Sequence, residues 1–441
     1  MSTADNASQE QTTTVAQDSP VISLTPTTDG RPVAVEPDLD FIRTLARQTG
    51  IGFKKCIQCG TCAGTCTLSP DVQAFPCKEM AWATWGMKNR LIEDLDVWLC
   101  HQCNDCSTRC PRGAQPGDVL AAVRQVCVQH FSLPRFLGRW ANQPQGALLL
   151  LGIPAALLTA ALLLKDRLAT ALGISTSLGE RIVYAYSSAF PHWLLNGFFG
   201  LFSLLVLLMI LIGVARFWHT MNMASERMGV PQPVKGLFPS IGAALKSIIT
   251  HDKFAMCEKA HPRLWSHSFV FFGFLGLTAV TIWVITAPIN PLITGKFIYP
   301  FGFFSPWKLL ANLGGAAVLI GLAIMILERI KGSAEGLKTS YADAALLAVL
   351  LMVVLTGFIT EVLHYVRLDP HRHVAYFAHL VFVFALLMYL PFSKLAHLIY
   401  RTAALVYAER FGRKIGQQAA AASAPVTVEN KEEEYAPASV R

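Results

Sequence analysis

Two runs of cysteine set the chemistry open to this chain. Cys56, Cys59, Cys62 and Cys66 stand in CIQCGTCAGTC, and Cys100, Cys103, Cys106 and Cys110 stand in CHQCNDCSTRCP. Each run has the spacing C-x2-C-x2-C-x3-C, in which three close thiolates grip three irons of a [4Fe-4S] cubane and the fourth reaches to a neighbouring cluster. The expected ligand sets are therefore crossed. Cys56, Cys59 and Cys62 take Cys110, while Cys100, Cys103 and Cys106 take Cys66, and two clusters so held sit close enough to exchange electrons. Gly60 suits the tight backbone wrap and Pro111 gives a rigid exit after the last ligand. Zinc is the alternative for any C-x2-C pair, but it closes with four ligands in two pairs and leaves the third cysteine without a role. Cys77, Cys127 and Cys257 fall outside both runs and read as packing cysteines.

Histidines form the second group. His379 and His397 lie 18 residues apart near the end of the chain. On one continuous helix that is five turns and about 27 Å, so both rings would leave the same face near opposite membrane surfaces, as two stacked haems b require. A bis-histidine haem needs a ligand from each of two facing helices. His267 with His397 is the expected pair on one side. For His379, on the other, His192 and His364 are the candidate partners. Glu361, three residues before His364, could share a cavity with it and serve as a proton acceptor at a quinone site, or could pair with Arg367. His219, His251, His261, His371 and His373 read as loop residues.

The elements that must position these groups are visible in the hydropathy. The chain has 441 residues, 53% of them hydrophobic and 15% charged, well below the charge of a soluble protein. Six apolar segments approach the ~20 residues that cross a bilayer: 146–164, 191–215, 267–287, 309–327, 344–363 and 374–393. Ten of the eleven cysteines precede them. The spacer AWATWGMKNRLIEDLDVWL and the stretch GDVLAAVRQVCVQ read as amphipathic helices, so the fold class is all-α. A disordered tail is expected at 1–40, a helical ferredoxin-type domain with two [4Fe-4S] clusters at 41–135, a six-helix transmembrane bundle at 140–410 and a second disordered tail at 411–441. Lys and Arg favour one side: the loop from Arg216 to Arg263 holds seven of them. The positive-inside rule then places both termini and the cysteine head in the cytoplasm, with the spans in the inner membrane. This accounts for much of the net charge of +8 without nucleic acid, for which no basic and aromatic stripe is present. The polar N-terminus carries no signal-peptide pattern, and clustered thiols in a reducing compartment suit metal better than disulfides.

The head, with KKCIQCGTCAGTC and WLCHQCNDCSTRCP, resembles the small iron-sulfur subunit of heterodisulfide reductase. The stretch FAHLVFVFALLMYLPFSKLAHLIY resembles the last membrane helix of the cytochrome b subunit of respiratory nitrate reductase, in which two histidines at this separation bind two haems. That resemblance matches His379 and His397 to the two ligands and His267, in RLWSHSFVFFGF, to the partner of the second. The remaining family ligand would fall at Leu277, so the chain departs from the pattern there and the count of haems is one or two. The combination is similar to the C subunits of quinone-interacting membrane-bound oxidoreductase (Qmo) complexes. It implies flavin and iron-sulfur partner subunits, menaquinone, and electron exchange with adenylylsulfate reductase in sulfur metabolism. On that reading the chain is an electron-transfer subunit without bond-making chemistry of its own. A heterodisulfide reductase-like membrane subunit and a membrane-tethered iron-sulfur redox sensor are the alternatives.

Overall fold

The computed structural model describes residues 36–70, 74–174, 186, 189–227, 232–257, 261–287, 290, 301–334 and 340–413. Apart from 36–40 and 411–413, the two expected tails lie outside the described residues. All regular structure among the described residues is helical. The head holds α1 (Leu39–Thr49), α2 (Thr61–Thr65), α3 (Cys77–Thr84), α4 (Lys88–Glu93), α5 (Asp96–Leu99), α6 (Asp105–Thr108), α7 (Pro116–Phe131) and α8 (Arg135–Ala141). Asp38 starts α1 by accepting the Phe41 N–H at 2.8 Å, which satisfies one of the otherwise unpaired donors of the first turn. The spacer between the cysteine runs was expected as one helix and is three, α3 to α5. Gly86 explains the first break: its φ of 74° is a left-handed conformation that ends α3, and its backbone carbonyl accepts from Asp38 at 3.0 Å. Pro116 opens α7 at the position where a missing N–H costs nothing.

The membrane part continues with α9 (Ala147–Leu163), α10 (Lys165–Ala171), α11 (His192–Arg227), α12 (Leu237–Thr250), α13 (Asp252–Ala255), α14 (His261–Thr286), α15 (Pro306–Ala334), α16 (Tyr341–Val366), α17 (His371–Tyr389) and α18 (His397–Arg410). Six of these, α9, α11, α14, α15, α16 and α17, are long and apolar enough to span a membrane. The protein is thus a multi-pass membrane protein. His219, His261, His371 and His373 lie in helices, not in the loops expected for them, whereas His251 does sit in a turn, as the left-handed cap of α12 (φ 53°).

The largest departure concerns the last span. The expected helical ruler from His379 to His397 does not hold, because α17 stops at Tyr389 and a turn through Pro391 and a 3-10 segment, Lys394–Ala396, intervene before α18. A proline removes a donor and clashes with the preceding turn, so its position predicts the break. His397 is therefore the first residue of a separate helix that lies against the head.

Packing shows how firmly the two parts are joined. One hydrophobic core contains Trp98 and Phe131 of the head together with Phe217 of α11 and Tyr400 of α18. Trp98 meets Tyr400 at 5.1 Å between ring centroids, and Phe217 meets Phe131 at 5.2 Å. Such pairs add ~0.5–1.5 kcal/mol each beyond area burial. Within the membrane, Leu158, Phe190, Leu380 and Phe384 unite α9 and α17 near α11, while Val318, Leu322, Leu350 and Val354 unite α15 and α16.

Candidate metal centres

The cysteines gather around two cavities. The first is lined by Cys56, Cys59, Cys62, Cys77 and Cys110, the second by Cys66, Cys100, Cys103, Cys106 and Cys257. Each cavity thus receives three cysteines of one motif and the fourth of the other. Cys77 and Cys257, expected to be ordinary packing residues, stand on the cavity walls. Cys127 alone of the three is enclosed in the hydrophobic core. Cys257 arrives from the segment after α13, far away in sequence, and no spacing rule could have found it.

The backbone repeats itself around the two cavities. The residue before the second cysteine is left-handed in both motifs, Gln58 (φ 57°) and Gln102 (φ 55°), and so is the residue after it, Gly60 (φ 77°) and Asn104 (φ 68°). Left-handed non-glycine residues cost on the order of 1 kcal/mol or more each and persist where the surroundings over-determine them. The shared pattern curls each loop around its cavity. Amides meet sulfur there: Gln102 N–H donates to Cys100 Sγ at 3.3 Å, as Ala114 N–H does to Cys110 Sγ. Burial raises the Cys62 and Cys66 thiols to about 12 and pushes Cys106 up as well, so these sulfurs need a cation to become thiolates at neutral pH.

The two cavities differ in setting. Cys59 is exposed, and the rim of the first cavity carries exposed Ile57 and Arg112. The second is enclosed against the membrane part. Arg124 of α7 donates to the Cys100 carbonyl at 2.8 Å, and Arg401 of α18 donates to the same oxygen at 3.0 Å. Arg263 of α14 donates to the Gln102 carbonyl at 2.8 Å. Burial, then Arg124, lowers Arg401 to about 10. Guanidinium groups converging on carbonyls in a buried place fit an anionic centre, because a thiolate-bound cluster supplies the charge that the carbonyls lack.

From the second cavity a line of aromatic contacts reaches the histidines. His101 follows Cys100 and stacks on Phe254 (4.9 Å, 4°), which meets His267 edge-on at 6.0 Å. Burial, reinforced by Arg401, holds the His101 imidazole well below its usual range and so neutral. His267 also contacts His251, and it lies close enough to His397 for the two rings to interact electrostatically. His267 and His397 thus both lie on the side of the membrane part that meets the head, within electrostatic reach of one another. His397 Nδ1 is bound to the Lys394 carbonyl at 2.8 Å, which leaves Nε2 for another partner, and burial lowers this imidazole to about 4. A neutral ring with Nδ1 tied to a carbonyl would suit a haem ligand, with Nε2 as the donor atom.

The opposite end of the membrane part is less complete. His379 Nδ1 lies 3.0 Å from the Val353 carbonyl and 3.2 Å from Thr356 Oγ1, and its ring packs on Gly357, where a Cβ would sit 3.2 Å from Cε1. His379 is thus level with 353–357 on α16. His364 is about 10 Å farther along that helix, packed beside Tyr186 (5.4 Å), and does not face it. His192 opens α11 with its side chain exposed. Leu277 packs beside Gly314 and the Val318–Leu350 core. Glu361 is held by Lys308 Nζ (3.0 Å) and Asn312 Nδ2 (3.1 Å) of α15. An apolar groove of about 470 Å³, lined by Leu319, Leu355, Phe358, Val362 and others, runs between α15 and α16.

Comparison with known proteins divides at the same place as the structure. The family model for citrate utilization protein B matches residues 141–420. The chain belongs to that family. A 4Fe-4S dicluster domain matches residues 52–114 and covers both cysteine runs. Citrate utilization protein B of Escherichia coli is 26% identical over 70% of this chain and 80% of its own length. The C subunit of the H2:CoB-CoM heterodisulfide,ferredoxin reductase of Methanothermobacter marburgensis is 31% identical over 20% of this chain. The C subunit of a ferredoxin/F420H2-dependent CoB-CoM heterodisulfide reductase of Methanosarcina acetivorans is also 31% identical, over 19% of this chain. The matched part of this chain spans about half the length of those two proteins (47% and 52%). No solved structure matches. The head is thus an iron-sulfur domain like the C subunit of heterodisulfide reductase, and the protein is an iron-sulfur electron-transfer protein of the membrane.

Proposed function

We propose that the protein exchanges electrons between menaquinone in the membrane and a cytoplasmic redox partner. Two [4Fe-4S] clusters and haem b supply one-electron exchange when bound, and the chain's part is to hold, space and insulate them. Cys56, Cys59, Cys62 and Cys110 hold the outer cluster, and Cys66, Cys100, Cys103 and Cys106 the inner one. His267 and His397 hold a haem b beneath it. The observation that carries this reading is the unbroken contact from Cys100 and His101 through Phe254 to His267. Arg263 and Arg401 tie the second cysteine loop to α14 and α18, so the inner site is held against the membrane part. The half-exposed outer site, with Cys59 at the surface, faces the partner. His379 is the candidate for a second haem, and the single histidine there favours one haem at full bis-histidine ligation.

A quinone needs an apolar slot and a proton carrier. The groove between α15 and α16 offers the slot, and Glu361, paired with Lys308 within one turn of Phe358 and Val362, offers the carrier, with His364 one turn farther on. The resemblance to Qmo C subunits supports quinol oxidation, with flavin and iron-sulfur subunits passing electrons to adenylylsulfate reductase. Membership of the citrate utilization protein B family favours a second reading. There the electron transfer serves citrate utilization in place of sulfur metabolism.

Anaerobic purification from membranes under mild detergent, with identification of the retained subunits and addition of a menaquinol analogue, tests both. Quinol-reducible haem b supports the membrane route, and the identity of the retained protein decides the partner. A preparation without any dithionite-reducible b-type band overturns the route.

A further inference from the structure

His251 has no place in the ligand sets above, although it touches one of them. It lies at the end of α12, the apolar helix that packs on α18, and it is one of the few described non-glycine residues with positive φ (53°). That backbone conformation turns the chain so that its ring enters the space beside α14. His251 Nε2 stands 3.2 Å from His267 Nδ1, and His251 Nδ1 stands 3.2 Å from the Ile249 carbonyl. Phe271 and Phe272 of α14 enclose the ring at 5.2 and 6.0 Å.

Proton bookkeeping then has one neutral solution. A carbonyl only accepts, so His251 Nδ1 carries the hydrogen and donates it to Ile249. His251 Nε2 is left as an acceptor. His267 Nδ1 must therefore be the donor to His251, and the second nitrogen of His267, Nε2, keeps its lone pair. His397 and His379 reach the same state by donating from Nδ1 to main-chain carbonyls, Lys394 at 2.8 Å and Val353 at 3.0 Å. For His267 the acceptor is a side chain from another element.

We propose that His251 is a positioning residue that fixes the tautomer and ring plane of His267, so that His267 Nε2 faces the haem iron. The inference rests on His267 being a haem ligand, as set out under Proposed function. An acceptor on the remote nitrogen raises the basicity of a ligating imidazole, and its removal typically costs 10–100-fold in metal affinity. Loss of that acceptor also withdraws electron density from iron, which favours the ferrous state.

The test uses the full chain in detergent. His251→Asn tolerates the left-handed backbone and is too short to reach His267, while His251→Gln restores an acceptor oxygen. The expected result for His251→Asn is a low-spin b-type spectrum, a midpoint potential shifted upward and haem retention reduced about tenfold or more, with His251→Gln recovering part of both. The cluster EPR signals report that the head remains folded. Unchanged potential and retention in a folded His251→Asn protein would overturn the proposal. So would conversion to high-spin haem in His251→Asn together with a low-spin spectrum in His267→Ala, since His251 would then be the ligand. Absence of haem b from the wild-type protein sinks the underlying ligand reading, and this outcome is seen before any variant is made.

Discussion

A cysteine that leaves its own motif to serve the other is the residue on which the head depends. Cys110 lines the cavity of the first motif and Cys66 that of the second. Cys110→Ser is therefore expected to perturb the outer cluster signal alone and Cys66→Ser the inner one, as read by EPR of the reduced protein. The opposite pattern would show uncrossed ligation. Spacing alone raises the expectation of crossing, because x3 before the last cysteine moves it off the three-iron face. Cys77, Cys257 and Gly357 were not legible in this way, since each depends on a neighbour distant in sequence, and of the repeated left-handed positions only Gly60 was marked by its residue type. A buried charge group offers a separate test. Lys78 Nζ lies within 3.1 Å of Glu79, Asp94 and Asp96. Burial opposes the charge of Lys78, but the three carboxylates outweigh it and hold the pKa above its ordinary 10.5. The stabilisation is therefore complete below 10.5 and is lost only as pH rises through the higher folded value. Lys78→Met leaves buried carboxylates short of a cation and is expected to destabilise the head by ~3–5 kcal/mol, measured by hydrogen exchange in the intact protein.

The helices succeed as positioning devices where small residues let them approach. Gly273 of α14 faces Gly314 of α15, and a Cβ on Gly273 would stand 2.5 Å from the Gly314 carbonyl oxygen. Gly273→Val is expected to push α14 from α15, move His267 and broaden or abolish the haem b band, while the cluster signals persist. Close approach of this kind is a main source of helix affinity in lipid, where burial of apolar surface gives little. At the other joint, Tyr400→Ala removes a buried ring shared by Trp98, Phe131 and Phe217 and is expected to cost ~3–5 kcal/mol, seen as faster proteolysis between head and bundle. Six spans were readable from length and hydropathy. The end of α17 was misjudged because the 18-residue spacing of His379 and His397 suits one continuous helix, whereas Pro391 breaks it. Likewise α3 to α5 carry enough apolar residues for one amphipathic helix, and Gly86 overrides them.

At the scale of the molecule, charge and chemistry agree on a direction. Arg216, Arg263 and Arg401 stand where the spans meet the head, so the positive side of the bundle is the side that binds the cysteine domain. The positive-inside rule therefore predicts a cytoplasmic head. A C-terminal green fluorescent protein fusion should then fluoresce and an alkaline phosphatase fusion should be inactive; the reverse result would invert the topology. The pairing of an iron-sulfur head with a membrane bundle was visible in cysteine spacing and hydropathy together. The depth at which the bundle carries histidine partners was not, because ligand sets are assembled across helices whose rotation the sequence leaves open. The most direct test of the conduit is one anaerobic redox titration of the purified full chain, followed by optical and EPR spectra together. The account predicts a low-spin haem b band and two magnetically interacting [4Fe-4S] signals in the same preparation, all reducible by a menaquinol analogue or by dithionite. Clusters without any haem b band would contradict it.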